Sequence, residues 1–126
     1  LPSSSILNYL SNQNLEDLDK KIALQQEDQT QFISLKSIIR CEADSNYTIF
    51  YLESNRRVIV SKTLKEYTET LEPLGFIRVH QSHLVNLHHI EVYKKNDGGY
   101  IETTDGEQVP ISRARKKYVI EILTKP

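Results

Sequence analysis

Four short stretches of this chain carry side chains suited to phosphate oxygens and to the edges of nucleobases. Asn46 and Tyr47 follow the turn Ala43-Asp44-Ser45. Ser61, Lys62, Thr63 and Lys65 surround the start of a predicted helix. Arg78, Gln81 and Ser82 lie at the end of a predicted strand, and Ser112, Arg113 and Arg115 open the last helical segment. Hydroxyl groups and cations at a helix start suit anions, because the free backbone amides and the helix dipole point the same way. Asn, Gln and Arg on loops can pair bidentately with base edges. The competing reading is that the serines and threonines only cap helices, which is the better account of Thr63 taken alone.

Other chemistry finds little support. His80, His83, His88 and His89 fall within ten residues. A zinc site needs three or four converging ligands, and Glu91 is the only nearby carboxylate. His88 and His89 are expected to point to different sides of their element. A Ser82–His80 nucleophile pair lacks the elbow glycines that expose such a serine. Gly98-Gly99 is too short for a phosphate loop and sits in a hairpin. Cys41 reads as a small core residue. No catalytic residue, metal or cofactor is expected, and no small-molecule substrate.

The elements that must position these residues are mostly strands. Ile39, Cys41 and Ala43 alternate with Arg40 and Glu42, as in a half-buried strand. Asn46–Glu53 is apolar on both faces and reads as a central strand. Arg57–Ser61 pairs back on it through a Ser54-Asn55 turn, with Val58 and Val60 pointing one way. Phe76–His80, His89–Lys94, Tyr100–Thr104 and Gln108–Ile111 complete the set. Asn96-Asp97-Gly98-Gly99 and Asp105-Gly106 supply the positive-φ positions that hairpins require. Pro110 cannot donate to a ladder and marks an edge strand. Thr63-Leu64-Lys65-Glu66 is a capping box leading into Leu64, Tyr67, Leu71 and Leu74 at helical spacing, stopped by Pro73 and Gly75. Ser112 is the N-cap candidate of a final helix through Ala114, Tyr118, Val119, Ile122 and Leu123. A short turn is expected from Ser82 through Leu84-Val85-Asn86.

At 126 residues the chain is the size of one domain. Residues 1–30 are polar and acidic, with Ile6 or Leu7 and Leu10, and then Leu15, Leu18 and Ile22, at helical spacing; they read as a linker with one or two amphipathic turns. The β pattern begins at Gln31, so residues 31–126 form the expected domain and residues 1–25 are expected to be dispensable. Five acids against two bases in residues 1–32 give −3, which leaves +2 on the remainder of a chain of net charge −1. The basic stretches are Ser112–Lys117 and the group Arg56, Arg57, Lys62 and Lys65. They are compatible with a polyanion without demanding one. No apolar run approaches the ~18 residues of a membrane span. The single cysteine fits a reducing, cytoplasmic setting. Methionine is absent, so the chain is expected to be a piece of a longer or processed protein.

One run brings these features together. Phe76-Ile77-Arg78-Val79-His80-Gln81-Ser82-His83-Leu84-Val85-Asn86 resembles the F-x-R-x-H-x-S-x-L-V-N signature of the LytTR DNA-binding domain. Glu42–Thr48, Ser61–Glu66, Asp97-Gly98-Gly99, Asp105-Gly106 and Pro110–Arg113 accompany it in the family's order, from about Phe32 to Leu123. The resemblance implies a mainly β fold of elongated antiparallel sheets with short helices, not a helix-turn-helix. It also implies double-stranded DNA as the partner, read in successive major grooves at tandem direct repeats by a pair of copies. Residues 31–126 hold no heptad seam or broad apolar face, so the free domain is expected to be monomeric and to pair only on DNA. An upstream receiver domain of a bacterial response regulator is implied as well.

Position by position, the resemblance makes Asn46 and Gln81 base readers, with a third at Arg113 or Arg115 on either side of Ala114. Tyr47, Ser61, Lys62, Lys65, Arg78, Ser82, Ser112 and Lys116 match phosphate-contacting positions. His80 and Asn86 are expected to brace the loops. A protein-interaction module using the same basic face is the alternative.

Overall fold

The computed structural model describes residues 20–125. Among the described residues ten strands form three antiparallel sheets, accompanied by two short α-helices. β1 (Lys21–Gln25) and β2 (Thr30–Ser34) make a hairpin. Five strands form the central sheet: β3 (Ile38–Asp44), β4 (Tyr47–Leu52), β5 (Arg56–Val60), β6 (Phe76–His80) and β7 (His83–Asn86), in the order β5-β4-β3-β7-β6. β8 (Ile90–Lys94), β9 (Tyr100–Thr103) and β10 (Gln108–Pro110) form the third sheet. Pro110 lies on its edge strand, where a missing N–H costs no ladder bond.

The central sheet is covered on both faces, and its sequence shows why. In β6, Phe76 belongs to one apolar cluster and Ile77 and Val79 to the other; in β7, Leu84 and Val85 divide the same way. Successive side chains of a strand point to opposite faces, so a strand covered twice must be apolar throughout. On the first face Cys41, Phe50, Val58 and Val60 pack under Leu24 and Ile33 of the hairpin and under α1 (Leu64–Leu71). Phe50 meets Tyr67 of α1 edge-to-face, with ring centroids 4.8 Å apart. On the second face Ile77, Val79 and Val85 meet Ile101 and Val109 of the third sheet and Val119 of α2 (Lys116–Thr124).

α1 begins at the expected capping box: Thr63 Oγ1 accepts from the Glu66 amide at 3.4 Å, and Glu66 accepts from the Thr63 amide at 3.1 Å. It ends in a 3₁₀ turn over Glu72–Leu74 and at Gly75, whose φ of 102° is the left-handed conformation that glycine adopts without strain.

Four expectations need correction. Ile22 lies not on a helical turn but in β1, and Leu24 is fully buried, so the β pattern begins ten residues before Gln31. Ile6, Leu7, Leu10, Leu15 and Leu18 lie outside the described residues. The segment after Ser82 is a strand rather than a turn, because β7 pairs with both β3 and β6 and its Leu84, Val85 and Asn86 are buried. Ser112 makes no capping bond; a 3₁₀ turn over Arg113–Arg115 comes before α2. Arg40, expected on the polar side of its strand, is only 6% exposed.

Candidate nucleic-acid interface

Strand register brings the four predicted stretches to one end of the central sheet. Asp44 pairs with Tyr47 across the Ser45-Asn46 turn, and Thr48 pairs with Val60, the last residue of β5. The Ser61–Thr63 segment therefore leaves the sheet at the end where Asn46 turns. On the other side of β3, Glu42 pairs with His83, and His83 with His80 across the Gln81-Ser82 turn. The Ala43 amide donates to the Ser82 carbonyl at 2.9 Å, tying the two turns together. The Ser112 amide donates to the Val79 carbonyl at 2.9 Å, which brings the start of the last helical segment to the end of β6.

Buried polar groups hold these segments in place. Thr48, fully buried, donates from Oγ1 to the Lys62 carbonyl at 2.7 Å and fixes the approach to α1. His80 Nδ1 accepts from the Ser82 amide at 3.0 Å. Asn86 donates from Nδ2 to the carbonyls of Ile38 at 2.8 Å and Leu35 at 3.3 Å, and its Oδ1 accepts from the His88 amide at 3.0 Å. Both signature residues thus have the bracing geometry expected of them.

The remaining candidates divide by what their side chains already bond. Asn46, Tyr47, Ser61, Lys62, Lys65, Gln81 and Arg113 are exposed. The Gln81 side-chain amide has no bond among the described residues; its backbone carbonyl is the group that is used. Arg78 is different. It donates from Nε to the His80 carbonyl at 2.8 Å, from Nη1 to Thr68 Oγ1 at 2.9 Å, and from Nη2 to the Gln81 carbonyl. Its guanidinium is thereby committed to the shape of the turn that presents Gln81. Ser112 Oγ is shielded from solvent without a partner. Ser82 is half-buried, and Lys116 lies with its side-chain stem near the Gly99 backbone position.

Electrostatics joins the last segment to the Gln81 turn. Burial lowers the Arg78 pKa from its ordinary value, and the nearby Arg115 guanidinium lowers it further against the opposing pull of Glu72. Two guanidinium groups close enough to repel form a local positive field that an anion would relieve. His83, behind the turn, has its pKa lowered by burial, with Glu42 opposing and His80, Arg40 and Arg78 adding to the effect.

The other histidines separate. His80 and His83 face each other with ring centroids 5.2 Å apart, whereas His89 is bonded to Thr104 and to the Lys36 carbonyl at 2.7 Å each. Among the described residues no three His, Cys, Asp or Glu side chains converge. Cys41 is fully buried, and burial raises its thiol pKa far above the ordinary value. No helix among the described residues is long and apolar enough to cross a membrane.

Sequence reading missed the ion pair under this framework. Arg40, on β3, bonds Asp105 in the β9–β10 turn at 3.0 Å and Glu42 at 3.5 Å, and its guanidinium lies 3.8 Å from the Tyr51 ring centre. The alternating pattern had assigned Arg40 to water, and no local signal marks a partner so far along the chain.

Known proteins carry the same pattern. The CO-responsive transcriptional regulator RcoM of Rhodospirillum rubrum is 30% identical over 99 residues, covering 76% of this chain and 42% of that protein. The heme-containing CO-sensing transcriptional regulator RcoM 2 of Paraburkholderia xenovorans is 30% identical over 106 residues, covering 82% of this chain and 39% of its own length. The chain thus spans about two fifths of the length of these curated relatives. A solved LytTr DNA-binding domain from Bacillus cereus superposes with a TM-score of 0.73 at 23% identity, covering 84% of this chain and 98% of that one, and shares the fold. The family model of the LytTr DNA-binding domain matches residues 28–124. By that match the chain belongs to the LytTR DNA-binding domain family.

Proposed function

We propose that the chain reads double-stranded DNA by sequence and serves as the output module of a longer transcription regulator, without catalysis of its own. One observation carries this reading. Strand register collects Asn46, Gln81 and the Arg113–Arg115 segment, from three separate connections, at one end of a rigid sheet, with Lys62 and Lys65 beside them. A buried framework with exposed amides and guanidiniums at its end suits base readout, and the flanking lysines suit phosphates.

Within the site, Asn46, Gln81 and Arg113 or Arg115 take the base edges. Tyr47, Ser61, Lys62, Lys65 and Lys116 take the backbone, joined by Ser82 and Ser112 if DNA draws the turn open. Arg78 acts as the brace of the Gln81 turn.

The family match supports DNA binding in transcription regulation. The upstream partner is a sensory domain, either a phosphorylated receiver in a cytoplasmic two-component system or, as the names of the relatives suggest, a gas-sensing domain. A selection of bound sites from a random duplex library, followed by affinities at two salt concentrations, tests the reading. Affinity for the selected site should exceed that for random duplex and fall steeply with salt as counterions are released. Weak, sequence-blind binding would favour the protein-interaction alternative.

A further inference from the structure

Helix α1 carries two threonines that make the same local bond. Thr68 donates from Oγ1 to the Leu64 carbonyl at 2.8 Å, and Thr70 donates from Oγ1 to the Glu66 carbonyl at 3.3 Å. Threonine is a poor helix former, and a bond to the carbonyl four residues back does nothing to improve the helix. With its proton committed in this way, the hydroxyl oxygen can only accept. Thr70 is exposed, and no donor among the described residues meets it. Thr68 is half-buried where α1 packs on β6, and there Arg78 Nη1 donates to its oxygen at 2.9 Å.

This bond ties Arg78 to another element, whereas its other two go to the His80 and Gln81 carbonyls just after it in the chain. No carboxylate among the described residues lies within ion-pair distance of the guanidinium, so neutral acceptors hold it. Leu64, 3% exposed in the first apolar cluster, is thereby joined through its carbonyl, Thr68 and Arg78 to the backbone of Gln81. We propose that Thr68 is a positioning residue for sequence reading: its hydroxyl, held by α1, fixes the Arg78 fork and through it the pose of the Gln81 amide. The proposal rests on the reading of Gln81 as a base contact given above. Without the hydroxyl, one N–H of a half-buried guanidinium loses its partner, and the fork is free to swing toward water and release the Gln81 carbonyl. A turn with several poses presents the Gln81 amide correctly only part of the time, while exposed lysines reach phosphates from any of them.

The test measures the affinity of the 126-residue chain for the library-selected duplex and for random duplex at two salt concentrations. Thr68→Val, which keeps the shape and removes the hydroxyl, should bind the selected duplex ~10-fold more weakly and random duplex as before, with the salt slope unchanged. Thr68→Ser, which keeps the hydroxyl, should stay within about 2-fold of wild type on both duplexes. Thr70→Val, which loses only the local bond, should do the same. In a Gln81→Ala background Thr68→Val should cost nothing further, because no amide is left to position. Equal losses on the two duplexes for Thr68→Val, failure of serine to rescue, an equal effect of Thr70→Val, or an undiminished loss in the Gln81→Ala background overturns the proposal.

If the chain prefers no duplex, or if Gln81→Ala leaves the preference intact, the reading of DNA or of Gln81 falls, and NMR spectra of the free chain then judge the role of Thr68. Arg78 Nη1 protons that exchange slowly with water in wild type and Thr68→Ser, and fast in Thr68→Val, support it. Equal exchange in all three overturns it.

Discussion

Nε of Arg40 donates to Oδ2 of Asp105 at 3.0 Å across 65 residues of chain, joining the middle strand of the central sheet to a turn of the third sheet. The same carboxylate accepts from the Thr103 hydroxyl and from the Glu107 amide at 3.4 Å, so one side chain both closes its own turn and docks it. Asp105→Asn should cost about 1–3 kcal/mol, since Arg40 is nearly buried but keeps Glu42 as a second partner. Burial opposes the charge on Asp105, yet the Thr103 hydroxyl and the Arg40 guanidinium hold its pKa below the ordinary 3.8. Its contribution is therefore full above pH ~3.8 and is lost as the pH falls through the lower folded value. Urea unfolding at pH 7 and at pH 3 should show a gap between wild type and variant that is smaller at the second.

Leu24 is fully buried against the first face of the central sheet, in a segment whose texture suggested a linker. Leu24→Ala should lower stability by ~2–5 kcal/mol, as for other buried leucines. Deleting residues 1–25 should lower the melting temperature for the same reason. An unchanged melting curve in both would show that β1 is not part of the folded unit.

Gln81 and Lys65 should differ in kind. The Gln81 amide is exposed and unbonded, so Gln81→Ala should cost roughly 1–3 kcal/mol at the selected site and little on random duplex. Lys65→Ala should weaken both duplexes and reduce the salt slope by about one. Equal losses on the two duplexes for Gln81→Ala would remove its reading role.

Arg78 distinguishes a brace from a phosphate contact. Its three bonds go to the His80 and Gln81 carbonyls and to Thr68, and lysine cannot reproduce that fork. Arg78→Lys should reduce affinity for the selected site while leaving the salt slope unchanged. A slope reduced by about one would instead mark a phosphate contact.

Burial lowers the pKa of His83 from the ordinary 6.5, despite the opposing Glu42. Below about pH 6.5 the unfolded chain binds this proton more readily than the folded one, so stability should fall as the pH drops through that value. His83→Gln should flatten this dependence between pH 7.5 and 5.5 in urea unfolding. An unchanged slope would place the dependence on other groups.

What the sequence determined by itself are the features written locally. The Thr63–Glu66 capping box, the stop at Pro73 and Gly75, the Asp105-Gly106 turn and the edge position of Pro110 depend on neighbours within a few residues, and each stands as read. The pattern of Phe76–Asn86 was legible as a family signature, but its second half was misread as a turn. Only tertiary structure decided that Leu84-Val85-Asn86 would be a strand, because its second pairing partner, β3, and much of both covering layers come from distant parts of the chain. The same holds for β1, whose polar stretch becomes a strand by pairing with β2 and burying Leu24, and for Arg40, whose burial depends on a carboxylate in another sheet. The convergence of Asn46, Gln81 and Arg115 is likewise a product of register, since backbone bonds between distant strands fix which loops share an end, and side-chain periodicity carries no record of that pairing.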